Sequence, residues 1–290
     1  MSRTRGPEPG LLRRWRRGDR TLVMGILNVT PDSFSDGGEH DDLADALAHA
    51  RRLVNGGADL IEVGGESPRP GARRPSLEEE LDRVLPVVEG LVAEGIAVSI
   101  DTMRAEVAHA CLERGVVVVN DVSAGLADPR MLLTVAASEA DYVAMHWRGH
   151  GEVMDDLAHY DDVTGEVMAE LDARVQAARA AGISDERVII DPGFGFAKDP
   201  EHNWRLLADL SRLVEGNHRV LVGVSRKGFL GHLLATSQGP RPARLRDDAT
   251  AAVTALAADQ GVWAVRTHTV AQHRDAVEVA HRIHLARTGR

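Results

Sequence analysis

A single cysteine, Cys111, occurs among the 290 residues. No disulfide can close within the chain, paired-cysteine metal sites are excluded, and a reducing, cytoplasmic setting fits. Long apolar runs are missing as well: none approaches the ~18–20 residues of a membrane span. Nor is there an excess of positive charge. The formal net charge of −10 argues against nonspecific binding to nucleic acid or to an anionic membrane. Seven arginines do crowd the first twenty residues, but the apolar stretch of a secretory signal is not there. Residues 1–20 therefore read as a solvated basic tail. Residues 21–290 read as one domain, since no linker or break in composition divides them.

Familiar catalytic signatures are also lacking. There is no HExxH and no Walker loop. No GxGxxG follows the first apolar run, which disfavours a doubly wound dinucleotide-binding sheet. The segment Gly223-Val224-Ser225-Arg226-Lys227 lacks the closing glycine of a nucleophile elbow, which disfavours a serine hydrolase. The thirteen histidines show no metal-ligand spacing; His146 could line a pocket or pack in a core. Cys111 falls within a helical pattern and reads as structural.

What is present is a regular beat of apolar, β-branched runs. They lie at 21–30 (TLVMGILNVT), 59–65 (DLIEVGG), 97–102 (AVSIDT) and 116–123 (VVVVNDVS), then at 142–147 (YVAMHW), 188–194 (VIIDPGF), 220–225 (VLVGVS) and 263–268 (WAVRTH). Amphipathic segments follow them at 43–55, 77–94, 104–114, 129–139, 163–181, 200–213, 248–260 and 270–286. Glycines at 56, 95 and 115 stop the first three. Eight strands, each followed by a helix, predict an α/β fold of the (β/α)8 TIM-barrel kind.

Such a barrel builds its active site at the C-terminal ends of its strands. Read strand by strand, those ends carry Asn28, Arg69 just beyond the second strand, Asp101, Asn120, Asp191, Lys227, Arg266 and His268. Any one of these is an ordinary strand-end or turn residue. Together they divide by chemistry. Arg69, Lys227, Arg266 and His268 offer the donors an anionic substrate needs. Asp101, Asn120 and Asp191 offer the acceptors and amide a flat, N–H-rich heterocycle needs. The segment GGESPRPGA (64–72) sets Arg69 between two prolines, which hold the backbone away from helix.

The stretches MGILNVTPDSFSDGG (24–38), IEVGGESPRPGA (61–72), VSIDT (98–102), NDVSA (120–124), DPGFGFAK (191–198), GVSRKGFLG (223–231) and RTH (266–268) run in order along nearly the whole chain. In these the sequence resembles the dihydropteroate synthases, pterin-binding barrels of folate biosynthesis and the targets of sulfonamides. The resemblance implies a transferase that condenses a dihydropterin methyl diphosphate with 4-aminobenzoate, releasing diphosphate and 7,8-dihydropteroate. It implies catalytic roles for Asp101, Asp191, Lys227 and Arg266, and a pterin site of Asp101, Asn120, Val122, Met145, Asp191, Gly223 and Lys227. Diphosphate falls to Asn28, Arg69, Arg266 and His268, with Mg²⁺ on Asn28. Aminobenzoate falls to Pro68, Arg69, Pro70, Phe196, Lys227 and Gly228. Phe34 and Asp36 belong to a loop lid, and the protein is expected to be a cytoplasmic homodimer.

The chain departs from the family pattern in one place that touches the substrate. Pro68 stands where a threonine is usual, removing a hydroxyl and a backbone N–H. A noncatalytic pterin-binding paralogue is the alternative expectation, and Pro68 is the feature in its favour. A pterin-dependent methyltransferase on the same barrel is disfavoured by Arg69 and the Ser225-Arg226-Lys227 segment.

Overall fold

In the computed structural model the described residues are 15–16, 18–30, 39–66, 74–149 and 154–290, with only the backbone described at 39–41 and 155. Eight parallel strands close into a barrel in chain order, β1 through β8. They are β1 Leu22–Asn28, β2 Leu60–Gly64, β3 Val98–Asp101, β4 Val118–Asp121, β5 Asp141–Met145, β6 Val188–Asp191, β7 Arg219–Val222 and β8 Ala264–Thr267. Helices surround them: α1 Glu39–Asn55, α2 Leu77–Ala93, α3 Ala105–Leu112, α4 Met131–Ala136, α5 Val163–Ala180, α6 Pro200–Ala208, α7 Leu210–Val214, α8 Gly228–Leu233, α9 Asp247–Asp259 and α10 Ala271–Thr288. The TIM barrel expected from the sequence is the fold.

The strands alternate inward and outward. Outward residues such as Val23, Ile61, Val63, Val98, Ile100, Val119, Val220, Val222 and Val265 form a continuous core with helix residues such as Val84, Val88, Leu91, Leu171 and Val277. This double covering explains why the strands read as apolar runs rather than as alternating patterns. Inside the barrel lies a second, smaller core of Met24, Leu60, Val118, Val143, Ile189, Leu221, Trp263 and Ala264. Above that plug the inner positions turn polar. Register aligns Asn28 with Gly64, Gly64 with Asp101, Asp101 with Asn120, and Met145 with Asp191. Asn28, Asp101, Asn120 and Asp191 thus share one end of the barrel.

Two helical details differ from the sequence reading. The segment 200–213 is broken into α6 and α7 at Asp209, whose carboxylate accepts a hydrogen bond from Thr164 Oγ1 at 2.9 Å and another from Arg205 Nε at 3.0 Å. Helix α8 had no counterpart in the periodicity. It is short and holds Gly228 and Gly231, both weak helix formers, and a Cβ at Gly231 would lie 2.5 Å from Arg246 Nε. The last residues of the basic segment also join the fold. Trp15 packs against the inner core, and Arg20 grips Asp59 through two hydrogen bonds of 2.9 and 2.6 Å.

Candidate active site

A cluster of charge sits directly on the inner apolar plug. Arg266, on β8, donates through Nη2 to Asp101 Oδ2 at 2.8 Å and through Nε to Glu62 Oε2. Glu62 is 1% exposed, and its second oxygen accepts the Asn120 Nδ2 hydrogen at 2.7 Å. Four strands thereby meet through side chains inside the barrel. Burial pushes the Asp101 carboxyl up to about 7, with the nearby Glu62 charge adding to the shift and Arg266 opposing it. The Arg266 guanidinium is held above its usual range by its carboxylate neighbours despite burial. The Asn120 amide oxygen is buried and has no partner among the described residues.

Asp191 closes the opposite side. Its Oδ1 accepts the Gly193 N–H at 2.8 Å, and burial pushes its carboxyl up to about 6 against that bond and against Arg266 and Lys227. Gly193 has φ +66°, and a Cβ there would come 2.3 Å from the His146 carbonyl oxygen. No other residue can make this turn without displacing the strand end. Gly195, at φ +73°, likewise lets Lys227 pass, since a Cβ would meet its Cδ at 2.8 Å. Lys227 Nζ lies 3.8 Å from the centre of the Phe196 ring, a cation–π contact. Burial lowers the ammonium to about 8, with Arg266 adding to the fall and Asp191 opposing it.

Between these groups the floor is open. A Cβ at Gly223 would stand 3.7 Å from Arg266 Cδ and 3.8 Å from Asp191 Oδ2, so the glycine lies between these two groups. Met145 is buried at the wall, and Val122 is half-buried in the loop after β4. Asn28 ends β1 with its Oδ1 3.6 Å from the position of a Cβ on Gly64, while Asp101 Oδ2 lies 4.0 Å from the same point. Gly228 opens α8 with nothing within 4 Å of its missing side chain.

His268 follows β8, on the same face as Arg266. Ser225 Oγ accepts its main-chain N–H at 3.2 Å and lies 2.9 Å from its Nδ1. Burial drives the imidazole down to about 3, so it is a neutral donor. Arg226, between Ser225 and Lys227, turns away at φ +61° and pairs with Asp247 through bonds of 2.7 and 2.8 Å. It fixes the turn that presents Lys227.

Three groups escaped the sequence reading. Glu62 had a legible signal: one acidic residue in an otherwise apolar strand, two places before Gly64 and so on the same face. Lys198 is buried, and its Nζ contacts His146 Nδ1 at 2.9 Å and the carbonyls of Gly193 and Phe196 at 3.1 Å each. His146 Nε2 lies 2.9 Å from Glu170, so that histidine belongs to the support of the β6–α6 loop. Ser225 had been weighed only as a nucleophile. Phe34, Asp36, Pro68, Arg69 and Pro70 lie outside the described residues.

Among the described residues no group of three or more His, Cys, Asp or Glu side chains could hold a metal ion. No helix among them is long and apolar enough to cross a membrane. Carboxylates, an unpartnered amide oxygen, a lysine and an arginine thus surround a glycine-floored hollow at the mouth of a barrel. That combination defines the class: a (β/α)8 barrel with a buried polar and charged cluster at the C-terminal ends of its strands. The chain belongs to the pterin binding enzyme family, whose model matches residues 24–268. It is 50% identical over 259 residues to the dihydropteroate synthase of Mycobacterium leprae, covering 89% of this chain and 91% of that one. Two solved structures of Xanthomonas albilineans dihydropteroate synthase are similar throughout. One, with 4-aminobenzoic acid, is 45% identical with a TM-score of 0.84, covering 92% of this chain and 94% of that one. The other, in complex with 7,8-dihydropteroate, is 41% identical with a TM-score of 0.82, covering 96% and 98%.

Proposed function

We propose that the protein is a dihydropteroate synthase, a transferase that joins a dihydropterin methyl group to the amine of 4-aminobenzoate and expels diphosphate. The observation that carries the reading is the convergence of Asp101, Asn120 and Asp191 on one hollow, with Lys227 and Arg266 beside them. An amino-pyrimidinone edge presents parallel N–H donors, and a buried carboxylate or amide oxygen that receives them is worth far more than one left unpaired. Val122 and Met145 face the ring as apolar walls.

The C–O bond to diphosphate breaks with its electron pair leaving on oxygen, and the pterin methylene is left cationic. Asp101 and Asp191 set negative charge beside that cation in a buried setting, where fixed charges act most strongly. The amine lone pair then forms the C–N bond and the amine sheds a proton. No side-chain nucleophile is needed. Arg266, neutral His268 and Arg69 receive the departing diphosphate. The aminobenzoate rests against Phe196, Lys227 and Gly228.

The donor set suits Mg²⁺, which keeps several waters and leans on substrate phosphates. Asn28 Oδ1, at the end of β1 near Asp101, would hold the ion, which would supply charge neutralisation to the diphosphate. The chain acts as a cytoplasmic homodimer. The cytoplasmic setting is supported by the lone buried Cys111. Pairing through the late outer helices is supported by Val279 and Ile283, one turn apart on α10 and 59% and 43% exposed, with Leu256 on α9 67% exposed.

Initial rates of diphosphate release test the assignment. Asp191→Ala and Lys227→Ala are expected to abolish nearly all activity. Activity within about fivefold of the parent would show that these groups do not stabilise the transition state.

A further inference from the structure

Glu62 has no role in any binding site assigned so far, yet it is the most deeply buried charge in the pocket. Its two oxygens are fully committed, one to Asn120 Nδ2 at 2.7 Å and the other to Arg266 Nε. A carboxylate oxygen paired with a guanidinium acts as an acceptor, as both Glu62 oxygens do here. The contact at Oε1 must therefore be made by the amide nitrogen of Asn120, which settles which way that amide faces. Its oxygen is left buried without a partner. A polar atom in that state calls for an explanation, and a ligand donor is the natural one. Arg266 is bound on two sides, by Glu62 and by Asp101 at 2.8 Å, so its planar fork cannot swing.

We propose that Glu62 is a positioning residue for pterin recognition: it holds Asn120 with its oxygen turned to the ligand and locks Arg266 across the pocket. The inference rests on the pterin-binding reading above and deepens it. Glu62 touches no substrate. Its effect is to make the Asn120 position demand an N–H donor, so a heterocycle bearing an acceptor there meets an unpaired oxygen and is rejected.

The test is calorimetric titration of 6-hydroxymethyl-7,8-dihydropterin, which lacks the diphosphate, into the parent protein, Glu62→Gln, Asn120→Ala and the double variant. Glutamine keeps the shape but brings its own N–H₂ group, so the Asn120 amide is no longer held one way. Pterin affinity is expected to fall about tenfold or more in Glu62→Gln, while the KM for 4-aminobenzoate stays within about twofold. The effect of Glu62→Gln should shrink markedly in the Asn120→Ala background, because the two act as a unit. A parent protein that does not bind the pterin removes the underlying reading and this inference with it. A parent that binds, beside a folded Glu62→Gln that binds equally well, overturns this inference alone. One measurement needs no variant. In ¹⁵N-labelled parent protein without ligand, one Asn120 side-chain N–H proton should be protected from exchange, and free exchange of both would refute the arrangement.

Discussion

At the residue scale the account turns on three side chains whose ordinary charge is contested by burial. Asp191 and Asp101 are pushed up to about 6 and about 7, and Lys227 is lowered to about 8. Protonation turns one oxygen of each carboxylate from an acceptor into a donor and removes its charge, so kcat/KM for the pterin substrate should climb with pH through 6–7. The Lys227 ammonium is needed beside the pterin and the aminobenzoate, so the rate constant should fall again above about 8. A profile flat across this range would contradict these roles. Lys198 carries a related burden in stability. Its folded value, about 7, lies below its usual one because of burial, so the folded protein favours the neutral amine. The stability it contributes is therefore present at alkaline pH and lost as pH falls through about 7. Denaturant titrations should show this slope in the parent and not in Lys198→Met. That variant should also lose about 2–3 kcal/mol by stranding two carbonyls and His146. Residues of this kind were the hardest to read from sequence. A lysine in AKDP and a glutamate in LIEVG look like surface charges until the closed barrel buries them.

At the scale of elements, the strands and most helices were legible because parallel strands covered on both faces must be apolar throughout. Their polar ends could then be read as one rim. The loop after β6 shows what periodicity could not supply. Its shape depends on Gly193 and Gly195 in left-handed conformations, packed against the His146 carbonyl and Lys227. Gly193→Ala should cost about 2–4 kcal/mol, from backbone strain together with the clash, and should raise the pterin KM by releasing Asp191. Thermal melts and kinetics of the same variant check both effects. In the segment after β2, Pro68→Thr restores a hydroxyl able to make one hydrogen bond. It should lower the aminobenzoate KM roughly three- to tenfold, consistent with ~0.5–1.5 kcal/mol. An unchanged KM and kcat would make Pro68 a neutral variant.

For the whole molecule, closure of eight strands places charges from β2, β3, β6 and β8 and an amide from β4 at one end of the barrel, a juxtaposition no local stretch contains. The pairing of Glu62 with Arg266 spans 204 residues of chain, so neither member alone announced it. The exposed side of α9 and α10 belongs to this scale too. If the homodimer forms there, Ile283→Glu should sediment as a monomer where the parent sediments as a dimer, and an unchanged dimer would move the interface elsewhere. The central claim is the condensation itself. Purified protein given Mg²⁺, dihydropterin methyl diphosphate and 4-aminobenzoate should form 7,8-dihydropteroate and diphosphate in equal amounts, and neither when one substrate is withheld. Pterin binding by calorimetry with no dihydropteroate formed would contradict the account and leave a binding protein on the same barrel.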